Sequence, residues 1–122
     1  MEKRRYPRYR AGERALLVIN TTMDRPYHIL DISHGGLAFK YLGDKKQAGL
    51  ITSISLVDDQ HIYLENIPVT AVNDISLPLH SPDSQTGITA PRRRIGLRFT
   101  ELSPEQEAKL DEFIREHTLG SA

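Results

Sequence analysis

Two groups of side chains in this sequence have the types and spacing needed to bind an anionic ligand that also forms hydrogen bonds. The first lies in an arginine-rich N-terminal segment, where Arg4 and Arg8 are four residues apart. Arginine binds phosphate oxygens through two parallel hydrogen bonds, and it contacts O6 and N7 of guanine in the same way. Lys3, Arg5 and Arg10 are weaker candidates for the same contacts.

The second group is the turn sequence Asp-Ile-Ser-His-Gly-Gly, which starts at Asp31. An ionised aspartate only accepts hydrogen bonds, so Asp31 suits a partner that presents N–H groups, such as the edge of guanine. Ser33 can donate to a phosphate or hold the turn, and Gly36 lets the backbone approach a ligand closely. His34 and Gly35 are weaker candidates. An ordinary turn between strands uses the same residue types, so this sequence alone does not distinguish a ligand-binding turn from a structural one.

Charge is segregated along the chain although the total cancels. The 122 residues contain 16 Lys and Arg and 16 Asp and Glu, which gives a formal net charge of zero. Residues 1–14 are mainly basic and residues 101–116 mainly acidic, and a second basic cluster comprises 92–94 and Arg98. Grouped charges create local fields that the total conceals. An anionic partner therefore remains compatible with the neutral composition.

The sequence offers no support for catalysis, a metal site or membrane insertion. Cysteine is absent, the five histidines are scattered, and no phosphate-binding loop or nucleophile motif is present. Asp58 and Asp59 near His61 fit a polar hairpin better than a metal site. No apolar run approaches the roughly 18–20 residues of a membrane span, and the N-terminus lacks a secretory signal. We expect a cytoplasmic protein with no catalytic residues, no cofactor and no metal.

Short segments of strand-forming residues, separated by turn signals, precede a single helix. Side-chain alternation slips by one residue between Leu64 and Ile67, which predicts a bulge near 65–66. A long loop is predicted over 76–91, where prolines and polar residues are frequent. The predicted strands are 15–19, 25–32, 37–41, 50–57, 61–73 and 94–99.

The helix is marked by its own N-terminal signals. Ser103 is suited to the N-cap, Pro104 to the first helical position, and Gln106 completes a capping box. An apolar stripe follows at helical spacing, comprising Ala108, Leu110, Phe113, Ile114 and His117. These elements predict a mainly β domain, a small antiparallel barrel or sandwich with a C-terminal helix packed on it.

The two groups together resemble the PilZ domain family. Arg4 and Arg8 fit the family's R-x-x-x-R motif, and Asp31, Ser33 and Gly36 fit its [D/N]-x-S-x-x-G motif. The resemblance covers nearly the whole chain. It implies a six-stranded antiparallel β-barrel followed by an α-helix. It divides one domain into a flexible basic arm over 1–14, a barrel over 15–100 and a helix over 103–119.

The resemblance implies that the protein is a bacterial receptor for the second messenger cyclic di-GMP. Arg4 and Arg8 would then clamp the phosphates and guanine faces, and Asp31 would read a guanine edge. Ser33 and Gly36 would complete the turn beneath the ligand. Binding would order the arm and signal to a downstream partner protein, whose identity the sequence does not give.

Two further points follow from the resemblance. Arg98, on what looks like the family's last barrel strand, is a weaker candidate for ligand contact. The residue before the first motif arginine is implicated in whether one or two ligand molecules bind. Here it is Lys3 instead of arginine, so the stoichiometry stays open.

Two other functions compete with the receptor interpretation. The arm and the 92–94 cluster could bind nucleic acid without sequence preference, although this partner is the less favoured one. The chain could also be a protein-interaction module that needs no ligand. Replacement of Asp31 by alanine distinguishes nucleic-acid binding from the receptor interpretation. It would abolish the binding of cyclic di-GMP but leave the binding of nucleic acid unharmed.

Overall fold

The computed structural model describes residues 7–20, 25–42, 50–77 and 92–121, with eight strands and one helix among them. The elements in chain order are β1 (Tyr9–Ala11), β2 (Leu16–Ile19), β3 (Pro26–Ile32), β4 (Gly36–Leu42), β5 (Ser53–Val57), β6 (Ile62–Leu77), β7 (Arg92–Phe99), α1 (Pro104–His117) and β8 (Thr118–Ser121).

Six of the strands close into an antiparallel barrel. The pairing runs in the order β2, β5, β6, β7, β4 and β3, and β3 returns to pair with β2. Closure leaves these strands without a free edge between them. The six-stranded barrel with a C-terminal helix, implied by the resemblance, is therefore confirmed.

Alternating side chains fill the barrel and leave a polar outer surface. In β7, Ile95, Leu97 and Phe99 are buried, while Arg98 between two of them is exposed. This is the period-two pattern of a strand with one face on the core. The exposed Arg98 makes this outer face of β7 basic.

A bulge in β6 corrects the phase of its apolar residues. Ile54 of β5 pairs with Ile67, whereas Leu56 pairs with Leu64, so β6 carries one residue more than β5 between these pairs. Asn66 has φ of 55°, a left-handed conformation that asparagine tolerates better than most residues. The bulge lets both Leu64 and Ile67 point into the core. The irregularity predicted at 65–66 is confirmed.

Helix α1 lies across the barrel end that carries the β3–β4 turn and the β5–β6 hairpin. The capping box forms as predicted: Ser103 Oγ accepts from Gln106 N at 3.1 Å, and Gln106 Oε1 accepts from Ser103 N at 3.0 Å. Phe113 is fully buried, and its ring centroid lies 5.3 Å from that of Tyr63 in β6. Among the described residues, no helix has the length and apolar character required to cross a bilayer.

A buried carboxylate joins the end of α1 to the β5–β6 hairpin. Asp58 Oδ1 accepts from the backbone N–H groups of Gln60 and His61, both at 2.7 Å. Its Oδ2 lies 3.2 Å from His117 Nε2. The bond from the Gln60 N–H, with those from His61 and His117, holds the pKa of Asp58 well below its ordinary value of 3.8. Asp58 therefore organises the hairpin and anchors the helix.

The polar side of the helix also contacts the barrel. Tyr63 Oη donates to Glu116 Oε1 at 3.0 Å. Burial, reinforced by the Glu116 carboxylate, raises the pKa of Tyr63 to about 12. Tyr63 thus keeps its proton, and with it this hydrogen bond, throughout the neutral range.

Two short strands that the sequence analysis did not predict join the chain ends. β1, inside the segment assigned to the arm, pairs with β3 and also with β8. The helix ends at His117, earlier than the predicted 119, because Thr118 is already extended. Thr118 Oγ1 donates to Ile114 O at 2.7 Å. β6 extends to Leu77, two residues into the loop predicted over 76–91, and residues 78–91 lie outside the described residues.

The lowered pKa of Asp58 predicts a specific loss of stability in acid. A carboxyl whose pKa is lower in the folded chain stabilises it above the ordinary value and loses that contribution as the pH falls. Urea unfolding should show Asp58→Asn to be less stable than wild type at pH 7. The difference should shrink as the pH falls below about 4.

Asp59→Asn is the matched control for this measurement. Asp59 adjoins Asp58, but its side chain is 59% exposed and it pairs with Arg14 at the surface. The control should change the free energy of unfolding by less than about 1 kcal/mol. A stability difference for Asp58→Asn that is the same at pH 7 and pH 3 would contradict the assignment.

Candidate functional site

Asp31 lies near the end of β3, with its side chain on the outer surface of the barrel. The pairing of β3 with β4 is irregular between Ile29 and Asp31, and both Ile29 and Ile32 are buried. This irregularity allows Asp31 to point outward between two inward-facing residues. Its side chain is only 15% exposed, because two arginines cover it.

Each oxygen of the Asp31 carboxylate is bound by a different arginine. Arg8, which directly precedes β1, donates from Nη1 to Oδ1. Arg94 donates from Nη2 to Oδ2 at 2.9 Å, from β7 on the far side of β4. The side chains of Arg8 and Arg94 are 30% and 31% exposed, so both can reach a ligand at the surface. The cluster Arg8–Asp31–Arg94 carries a net positive charge.

The turn after β3 is held by Ser33. Its backbone N–H donates to Gly36 O at 2.8 Å, and its hydroxyl lies 3.3 Å from the same oxygen. The same hydroxyl accepts from Gly35 N at 3.1 Å, and Gly35 O accepts from Phe99 N at 3.0 Å. Ser33 is buried. Its observed bonds make it the centre of the turn, the second of the two roles considered from the sequence.

Gly36 is required by the close approach of β4 to β7. A Cβ placed on Gly36 would lie 2.2 Å from the carbonyl oxygen of Leu97, which is backbone and cannot move aside. The glycine therefore sets the spacing between the strand that follows the turn and the strand that carries Arg94. Its role in the structure is packing between strands.

A row of small residues lies on the outer face of the barrel beside Asp31. Asp31 pairs with Ala38, Ala38 with Gly96, and Gly96 with Asn73 across four neighbouring strands. Side chains in register on antiparallel strands share one face. Ala38 and Gly96, the platform, contribute no more than a methyl group, but both are buried, and the Asn73 amide lies within 3.0 Å of where a Cβ of Gly96 would stand. The platform would suit the face of a flat ring once the side chains that cover it move aside.

The other candidates fall into three groups. Arg10 in β1 is exposed and pairs with Asp31, and Arg98 in β7 is exposed and pairs with Gly36, so both lie beside the platform. His34 Nε2 lies 3.2 Å from Asp111 Oδ1 and thereby connects the turn to α1. The three remaining candidates, Lys3, Arg4 and Arg5, lie outside the described residues.

The three arginines at 92–94 do not lie on one face of the barrel. Arg93 points inward, its side chain is 7% exposed, and its Nε donates to Asp74 Oδ1 at 2.6 Å. Arg94 points outward to Asp31, as the alternation of a strand requires. From the sequence, Arg94 was placed in this cluster and on the last barrel strand, but not among the site residues. The signal available was that Arg94 and Arg98 share the outer face of the predicted strand.

The fold and the two motifs agree with a family comparison. The family model described as "PilZ domain" matches residues 2–116. The chain belongs to the PilZ domain family. The match includes both motif segments and extends through almost all of α1.

Solved PilZ structures share the fold at low sequence identity. The PilZ domain of YcgR from Escherichia coli, solved with c-di-GMP, gives a TM-score of 0.67 at 17% identity, over 94% of this chain and 91% of that one. The c-di-GMP complex of MrkH from K. pneumonia gives 0.66 at 19% identity, over 95% of this chain and 52% of that one. This PilZ chain thus spans about half the length of MrkH. No curated protein matches the chain.

The contact at Gly36 predicts that Gly36→Ala separates β4 from β7. Because the obstructing atom is a backbone oxygen, the added methyl group should lower the free energy of unfolding by about 1–3 kcal/mol. Urea unfolding measures this directly. An unchanged unfolding midpoint would show that the two strands are not as close as the structure indicates.

Proposed function

We propose that this PilZ domain is a receptor for cyclic di-GMP. The observation that carries the proposal is the Arg8–Asp31–Arg94 cluster, held on the barrel surface beside the Ala38–Gly96 platform. Support also comes from the family and from the c-di-GMP bound in the YcgR and MrkH structures. Binding alone explains these groups, so no catalytic residue is assigned.

Each part of the cluster matches one chemical feature of the ligand. The edge of guanine presents two N–H donors side by side, and an ionised carboxylate can accept both. Arginine pairs with phosphate oxygens in a planar, charge-assisted geometry. Asp31 would therefore read guanine, and Arg8 would bind a phosphate. Arg4, four residues before Arg8 in the sequence, would contact a second phosphate or a guanine face.

The platform would support a purine ring from below. A ring would lie over Ala38 and Gly96, and Asp31 stands at the edge of the row. The Asn73 amide now occupies the space beside Gly96, with Oδ1 2.8 Å from where a Cβ would stand, so this side chain would have to move when the ring binds. Flat apolar surface and a hydrogen-bonding edge together would favour guanine over other bases.

Binding would order the arm and reach the helix through two connections. Arg8 directly precedes β1, which pairs with β8 immediately after α1. His34 in the turn contacts Asp111 on α1. A ligand that moves Arg8 and tightens the turn would thus act on the middle of the helix and on its C-terminal end. We propose that this change signals to a downstream protein.

Calorimetric titration with cyclic di-GMP tests the binding proposal. Wild type should bind it in preference to cyclic di-AMP and GTP. Asp31→Ala should weaken binding at least about thirtyfold, since it removes one partner of a charged contact. Glu65→Ala, which removes an exposed carboxylate from β6, is the charge-matched control and should bind like wild type.

Two results would contradict the receptor proposal. One is wild-type protein that shows no affinity for cyclic di-GMP. The other is salt-dependent binding to any nucleic acid, with Asp31→Ala unimpaired, because that is the behaviour of a non-specific basic surface.

Amide hydrogen exchange tests the ordering of the arm. Within the arm, exchange should slow mainly in residues 1–8 when cyclic di-GMP is added, because newly ordered backbone is protected from solvent and Tyr9–Ala11 are already paired in β1. Protection should also increase in α1 around Asp111, and less so in the His34→Ala variant. Tight binding with unchanged exchange over 1–14 would contradict the ordering mechanism.

A further inference from the structure

Arg94 reaches the cluster from a part of the chain that neither sequence motif includes. It lies 63 residues after Asp31, on β7, and its guanidinium extends past β4 to Asp31 Oδ2 at 2.9 Å. Its backbone pairs with Lys40 and Ile75. Arg94 therefore lies two residues along β7 from Gly96, which is the next position on the outer face beside the Asp31–Ala38–Gly96 row. The contact is directed at Asp31 diagonally across the platform.

A purely stabilising role explains this contact poorly. The Arg94 side chain is 31% exposed, and a partly exposed ion pair on a barrel surface contributes little to stability. The register of β4 and β7 is already fixed by seven consecutive backbone pairs. By contrast, Arg93 on the same strand is buried against Asp74, as a structural arginine would be.

Both oxygens of Asp31 already accept a hydrogen bond from an arginine. Arg8 takes Oδ1 and Arg94 takes Oδ2. A guanine edge with two N–H donors needs both oxygens at once. Each carboxylate oxygen has two lone pairs, so guanine would compete with the two arginines for Asp31 without needing both to leave. An arginine displaced in this way would have unpaired donors beside the ligand's phosphates.

We propose that Arg94 is a third arginine of the ligand site, which leaves Asp31 and binds a phosphate of the ligand. This inference rests on the proposed function and adds a residue outside the motifs to it. With Arg8 and Arg94 the cluster carries a charge of +1, which favours a dianionic ligand. Without Arg94 it would be neutral, so the variant should bind more weakly and with less dependence on salt.

The test is calorimetric titration of the full chain with cyclic di-GMP at two salt concentrations. Arg94→Ala should bind at least about tenfold more weakly than wild type, with a smaller change in affinity between low and high salt. Arg94→Lys should recover only part of the affinity, because lysine keeps the charge but lacks the planar fork.

Arg92→Ala is the matched control, since it removes the same charge from the same face of β7, two residues further from Gly96. It should bind within about twofold of wild type. Thermal unfolding of all three variants should give midpoints near that of wild type, which excludes a loss of fold.

The outcomes separate this inference from the proposed function. If wild type binds and Arg94→Ala binds as Arg92→Ala does, Arg94 is not a ligand residue and the receptor proposal stands. Tighter binding by Arg94→Ala would also overturn the inference, since Arg94 would then only compete for Asp31. A wild-type chain that does not bind would overturn both.

Discussion

The close approach of β4 to β7 at Gly36 is the constraint on which the site depends. With no side chain at Gly36, the β7 backbone lies close enough for Ala38 and Gly96 to pair in one continuous row with Asp31. The same pairing sets how far Arg94 stands from Asp31. A wider gap at this point would break the row of small residues and separate the carboxylate from one of its two arginines.

The features predicted from sequence are those that local chemistry determines. Side-chain alternation identified the barrel strands, the slip between Leu64 and Ile67 located the bulge, and Ser103 with Gln106 marked the start of the helix. Asp31, Ser33 and Gly36 were identified because a turn of this kind needs particular residue types. The resemblance supplied the closure of six strands, which periodicity alone left open between a barrel and a sandwich.

What sequence reasoning missed depends on contacts between distant residues. The Arg94–Asp31 pair joins residues that only the combined register of β3, β4 and β7 brings together. The inward direction of Arg93 follows from its buried partner Asp74, on another strand. β1 and β8 are three and four residues long with no periodicity of their own, and they are strands because β1 pairs with both β3 and β8.

The neutral total charge is a property of the whole chain and has little bearing on the site. Arg8 and Arg94 outnumber the carboxylate they surround, and acidic residues are concentrated on α1 instead. His34 and Asp111 meet where these two regions adjoin. The arrangement places a positively charged surface and an acidic helix on one small domain, connected by the turn between them.

A crystal structure of the chain grown with cyclic di-GMP would test the central claim most directly. The account predicts a guanine edge on both oxygens of Asp31, the purine face over Ala38 and Gly96, and Arg8 on a phosphate. A ligand bound elsewhere on the barrel, with Arg8 and Arg94 still paired to Asp31, would contradict it.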